Sequence, residues 1–382
     1  MLQSTLVYGT LGIVMILCGC ISARREQIHA TEKPTFFSPE IIISLLSFAI
    51  VFGCRYNVGI DHLTYLEFYD DIATNTPLPR EDLEWGYLWI TEWFAQREIH
   101  YAFYFGFWAL LQLFFIYYGF KNDRYLYPFI AFNLIFGTVF LSWMNGMRQW
   151  VACCIFLGAI QLLFFKKYLF FFLSLVFCCL FHKTAILLFP ISAVIWGNID
   201  YFKKTWIQLV CLFGAIFLHG AERWLHLFTG AEHILVFLGF GARSISIDTV
   251  ANATTQYNFG IRSWINFLII FLIVLFSVKL KDFFKKTVFL KYYNLFFPGC
   301  LLEILLAGNH ILLRPFLYLY CTKFIIISYF MYYLWVKRRE NLLYFIIFII
   351  TILIQMITFS SLIYLGASPE VVGEYTFFWQ NG

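Results

Sequence analysis

Asn145, Arg148 and Gln149 fall within five residues of one another, between apolar runs at 125–141 and 151–165. An arginine in that setting lies at a membrane surface or just beneath it, since a guanidinium near the bilayer centre costs roughly 3 kcal/mol or more. Trp143 and Trp150 flank it as residues of an interfacial aromatic belt would. The planar fork of Arg148 suits a phosphate or carboxylate through two parallel hydrogen bonds. A lone arginine at a helix end is often only an anchor whose charged head reaches back to water. Three polar side chains together favour a site.

Related constellations recur along the chain. Arg55, Asn57, Gly59 and Asp61 follow the second apolar stretch, with Tyr65 four residues beyond Asp61. Arg55 there suits phosphate, and Asp61 suits proton abstraction or a sugar hydroxyl. The two would equally close the loop as an ion pair, and spacing leaves both readings open. His182, Lys183 and Thr184 sit between two apolar runs. His182 either accepts a proton near neutral pH or stabilises a tight turn. Arg262 follows Tyr257-Asn258-Phe259-Gly260-Ile261, and Asn309, His310 and Arg314 precede Pro315, a first-turn position for proline. Three arginines at helix starts point to an anionic head group. Glu303 and Lys323 lie inside apolar stretches, where they either pair or line a cavity.

Composition says what must hold these groups. Of 382 residues, 61% are hydrophobic and 13% charged, which excludes a soluble domain and implies an all-α polytopic membrane protein. The formal charge of +5 is dispersed over short loops, so no nucleic-acid partner is implied. Ten cysteines lie in or beside apolar runs without metal-ligand spacing, so neither a metal site nor a disulfide framework follows. No P-loop or GxGxxG is present, and no nucleotide cofactor is expected.

Apolar stretches at 4–22, 40–54, 101–120, 125–143, 149–165, 168–182, 184–198, 205–220, 263–280, 287–308, 315–336 and 341–365 predict about 12 transmembrane helices in one integral membrane domain spanning 1–382. Lysine-rich connections alternate with lysine-poor ones, which puts the former in the cytoplasm and both termini outside it. The outer side then has Arg55, Arg80, Arg97, Arg148, Arg223, Arg243, Arg262 and Arg314 against a single lysine, Lys183. Two long connections, 55–100 and 221–262, fall on that side. Trp85, Leu88, Trp89 and Trp93 recur at helical spacing, so the first should contain an amphipathic interfacial helix. The second should form short interfacial helices and a lid.

The run RYNVGID beginning at Arg55, with Tyr65, NGMRQ around Arg148, FHKT around His182 and the Arg314 segment, resembles the EpsG-like branch of the Wzy-type O-antigen and exopolysaccharide polymerases. The likeness extends in order from about Arg55 to Arg314. Thr184 stands where such proteins tend to have serine, which keeps the hydroxyl. The resemblance implies a multi-pass bacterial inner-membrane glycosyltransferase of lipid-donor, GT-C-like architecture. Such enzymes join undecaprenyl-diphosphate-linked oligosaccharide units, donor to acceptor, on the periplasmic face. It implies no metal and no cofactor, because a diphosphate leaves readily once its charge is neutralised. Membrane lipids are expected partners, and a chain-length regulator is left open.

Residues and resemblance together suggest one mechanism. Arg55, Arg148, Arg262 and Arg314 bind the diphosphate, and Arg148 also stabilises the charge that develops on it. Asp61 or His182 takes the acceptor's proton. Tyr56, Tyr65, Trp85, Trp89 and Tyr257 offer faces to sugar rings. A lipid-linked oligosaccharide flippase and a membrane acyltransferase are the competing readings. The first needs cations along a cavity open to each side in turn, whereas these arginines collect at one surface. The second would depend on His182.

Overall fold

The computed structural model describes residues 1–28, 35–77, 83–220, 224, 260–364 and 374–380. Among these residues the chain is helical without strands, save an isolated antiparallel bridge between Arg55 and Phe377. Five helices are long and apolar enough to cross a membrane: Leu2–Ile28, Tyr101–Gly119, Met147–Phe164, Ile311–Lys337 and Leu342–Tyr364. Two pairs bent by 67° and 59°, Arg124–Ile135 with Val139–Asn145 and Ser263–Leu275 with Ser277–Phe283, make seven if each is one span. The difference from the expected twelve lies mainly in short helices. Pro39–Gly53, Tyr168–Cys179, Lys183–Trp196 and Thr205–Phe217 are apolar but brief. A helix of fifteen residues reaches about 22 Å, short of the roughly 30 Å of hydrocarbon in a bilayer.

The chain forms two compact units. The first comprises Met1–Gln161, Leu180–His182 and Leu334–Gly382; the second comprises Leu162–Cys179 and Lys183–Tyr333. In the first, α1 (Leu2–Ile28) packs on α2 (Pro39–Gly53) and on a later helix, Tyr127–Ile135. α3 (His62–Ala73) and α4 (Trp85–Ala95) pack on each other, and α5 (Tyr101–Gly119) lies along α2. A short α6 (Tyr127–Ile135) and α7 (Val139–Asn145) lead into α8 (Met147–Phe164).

Polar contacts distinguish the two ends of this unit. At one end Arg124 is buried, donating to the Thr35 carbonyl at 3.0 Å and the Lys121 carbonyl at 3.2 Å. Arg25 pairs there with Glu40 at 3.3 Å. At the other end the Met1 amino group pairs with Glu374, and Gln3 bonds Gln380 at 2.8 Å. The segment 374–380 also bonds the chain just after α2: Tyr56 N donates to the Thr376 carbonyl at 2.9 Å, and Phe378 N to the Cys54 carbonyl at 3.0 Å. Within this unit Arg25 and Arg124 therefore lie at one end and Arg55, bridged to Phe377, at the other.

The second unit settles one open pairing. Lys323 Nζ donates to both carboxylate oxygens of Glu303, at 2.8 and 2.7 Å, so these two intrahelical charges neutralise each other. Lys291, 4% exposed, donates to the carbonyls of Ile195 at 2.6 Å and Gly197 at 3.1 Å. It caps a helix C-terminus, where a cation complements the dipole.

Candidate functional site

The chain leaves α2 at Cys54 and must reverse before α3. Asn57 at φ 50° and Gly59 at φ 94° make the reversal, and Asp61 takes the N-cap position of α3. Positive φ at Gly59 is a conformation side chains resist. The turn also presses on the end of α7, since a Cβ on Gly59 would lie 2.2 Å from Asn145 Oδ1.

Arg55 locks this turn. It is 1% exposed, its Nε donates to His62 Nδ1 at 3.3 Å, and its Nη2 donates to the Met144 carbonyl at 3.0 Å. Its guanidinium lies 5.6 Å from the Phe52 ring centroid and 5.5 Å from that of Phe105. Its Nη1 has no hydrogen-bond partner. Burial pulls Arg55 down to about 10. Burial, then the adjacent Arg55 charge, pushes His62 down to about 3, so the imidazole is neutral at physiological pH. A neutral ring accepting at Nδ1 has its proton on Nε2.

Arg148 sits in the first turn of α8, directly after the break at Gly146. Gln112 of α5 bridges that break, its amide nitrogen reaching the carbonyls of Trp143 at 3.3 Å and Met147 at 3.4 Å. Arg148 Nη1 forms an ion pair with Glu84, with side chains 14% and 7% exposed. The guanidinium stands 5.1 Å from the Tyr87 ring centroid and interacts with the Tyr65 hydroxyl. Burial raises Tyr65, Arg148 opposes that, and the carboxylates of Asp61 and Glu84 reinforce it, which puts all four groups in one electrostatic neighbourhood.

Glu84 is positioned by the start of α4, where its carbonyl accepts Leu88 N at 3.0 Å. The next turn meets the segment Leu180–His182: Gly86 N donates to the Leu180 carbonyl at 2.9 Å, and a Cβ on Gly86 would lie 2.7 Å from that oxygen. Only a residue without a side chain permits this approach. Trp108 of α5 fixes the same corner, 5.7 Å from Tyr87 and 5.9 Å from Phe181 in ring centroids.

The structure thus gathers Arg148, Tyr65 and Asp61. It adds Glu84, Tyr87, His62 and Gln112, which the motifs did not single out. Arg55 lies deep beneath the turn, Tyr56 is half-buried, and His182 is half-buried two residues past Leu180. The expected helix in 84–97 is α4, with Trp85 and Trp89 exposed and stacked at 6.5 Å. Trp143 and Trp150 depart from expectation. They are 0% and 7% exposed and face each other at 6.1 Å, packing the protein interior instead of an aromatic belt. Arg314 is exposed and belongs to the second unit. Arg262 begins a helix, but its side chain, like Tyr257 and most of 221–262, lies outside the described residues. Among the described residues no three histidine, cysteine or carboxylate side chains converge as metal ligands.

The model of the EpsG family matches residues 41–369. That covers most of the chain, and the chain belongs to the EpsG family, a Wzy-like polymerase family. No curated protein and no solved structure matches it.

Proposed function

We propose that this EpsG-family chain polymerises undecaprenyl-diphosphate-linked oligosaccharide repeat units into an O-antigen- or capsule-like polysaccharide at the periplasmic face of the bacterial inner membrane. The observation that carries the reading is Arg148. It is a part-buried guanidinium at a helix start, paired with Glu84 and set beside the Tyr87 ring and the Tyr65 hydroxyl. Helix N-termini favour anions, and a buried arginine is stronger toward a diphosphate than one in water.

In this reading the donor's diphosphate lies against Arg148, with Arg262 and Arg314 as further cations. Arg55 contributes from below through the field of its buried charge and by fixing the turn. Neutralising charge that develops on the leaving diphosphate lowers the barrier most, as in other sites built from fixed donors. Asp61 and His182 are the bases offered by sequence, and Glu84 joins them through the fold. Tyr56, Tyr65, Trp85, Trp89 and Tyr257 present ring faces to sugars. The full set of twelve crossings and a GT-C-like arrangement belong to the same proposal, with the shorter apolar helices completing the transmembrane body.

Purified protein incubated with a defined lipid-linked repeat unit should yield a ladder of extended lipid-linked chains on a gel. Transport of the unit across a vesicle membrane without extension would replace this reading with the flippase, and an ester-linked product would replace it with the acyltransferase.

A further inference from the structure

Glu84 was not among the bases that the sequence offered, yet it is the group paired with Arg148. We propose that Glu84 is the general base of the transfer, and that Arg148 holds it inactive until a diphosphate arrives. The proposal rests on the polymerase reading above.

As a structural staple this ion pair is poorly built. Both side chains are largely buried, at 7% and 14% exposure, so each has lost most of its hydration. Such a pair recovers that cost only where the remaining donors and acceptors are also satisfied. Arg148 Nε is buried without a hydrogen-bond partner. That leaves the Nε edge of the fork only partly satisfied, in a guanidinium that stands on the Tyr87 face and bonds the Tyr65 hydroxyl.

A diphosphate entering at that edge carries more charge than a carboxylate and accepts from two guanidinium nitrogens at once. It therefore competes with Glu84 for the same cation. Displaced, Glu84 remains fixed at the start of α4 with its counter-charge gone. A carboxylate released from its cation in a low-dielectric site is a stronger base. Base activation then waits on donor binding, which prevents the carboxylate from acting on a bound acceptor alone.

The step balances without a co-reactant. The acceptor hydroxyl gives its proton to the Glu84 carboxylate, and its oxygen bonds the donor's anomeric carbon. The bond from that carbon to the diphosphate oxygen breaks, and its electron pair leaves with the lipid diphosphate, held by Arg148. Glu84 afterwards returns the proton to water and re-pairs with Arg148.

The test compares Glu84→Gln, Glu84→Asp and wild type in detergent, with undecaprenyl diphosphate as the binding probe and a defined lipid-linked unit as the substrate for extension. Glutamine keeps the shape and an accepting oxygen but does not take the proton. Its extension rate should fall by roughly 100-fold or more, the usual weight of a general base. Probe binding should hold or tighten several-fold, because the competing charge is gone. Glu84→Asp should retain part of the rate, which keeps the test valid should Glu84→Gln fold poorly. Extension by Glu84→Gln within about threefold of wild type, or loss of probe binding matching that of Arg148→Ala, overturns the proposal. A wild type that binds the probe but extends nothing removes the polymerase reading, and this proposal with it.

Discussion

Gly59 and Asn145 meet so closely that a Cβ on the glycine would fall 2.2 Å from the asparagine Oδ1. The contact joins the turn after α2 to the residue three positions before Arg148. Gly59→Ala adds both a clash and a side chain at φ 94°. The Asn145 side chain can swing away, but the backbone strain stays, at about 1–2 kcal/mol. Thermal unfolding in detergent should show that loss. Asn145→Ala in the same chain should restore part of the activity lost by Gly59→Ala and little of the stability.

Arg148→Ala should abolish long-chain polymer while lipid-linked single units accumulate. It also leaves Glu84 largely buried without its cation, a loss of roughly 3 kcal/mol or more. The double variant Arg148→Ala/Glu84→Ala separates the two effects. It should regain much of the stability and none of the polymerisation. Arg148→Lys keeps the charge but not the fork, and should extend at least about tenfold more slowly. A normal ladder of chain lengths from Arg148→Ala would remove Arg148 from the mechanism.

His62 gives the protein an acid-sensitive joint. Its folded value of about 3 lies below its ordinary one, so between those values the unfolded chain binds the extra proton. The stability that its neutral form contributes is complete above about pH 6.5 and is lost as pH falls toward about 3. His62→Gln should flatten the fall in thermal midpoint across that window. An unchanged slope would mean that other groups account for it.

Truncation before Glu374 should destabilise the first unit. It strips partners from the Cys54 carbonyl and from both backbone groups of Tyr56, and removes Tyr375, which is 0% exposed and donates to the Val51 carbonyl at 2.7 Å. The expected loss is roughly 3 kcal/mol or more, read from unfolding in detergent. Tyr375→Ala alone should reproduce about half of it.

Helical character and the α4 helix were legible because each follows from apolar periodicity. Arg148 was legible because a charge between two apolar runs is costly unless it has a task. Glu84 was not. It looked like the polar start of an amphipathic helix, and its partner is 64 residues away. The roles of Arg55 and His62 were hidden for a similar reason. Spacing offered Asp61 as the partner of Arg55, whereas the backbone turn at Asn57 and Gly59 brings the His62 ring and the Met144 carbonyl instead. Trp143 and Trp150 misled because an indole next to a buried cation reads the same at a lipid interface and inside a packed bundle. The number of crossings was not legible from length alone, since a stretch of fifteen apolar residues signals a helix without fixing its span.

Phe105, Trp108 and Gln112 lie three and four residues apart on α5, hence on one stripe of that helix. Phe105 faces Arg55 and His62, Trp108 faces Tyr87 and Phe181, and Gln112 reaches the carbonyls before Arg148. A single side of one helix therefore sets the register of three separate parts. Inserting one residue between Phe105 and Gln112 would turn the amide about 100° away while leaving the ring behind. No substitution at any one of the three positions has that reach, which makes the phase of α5, more than any residue on it, the quantity this arrangement depends on.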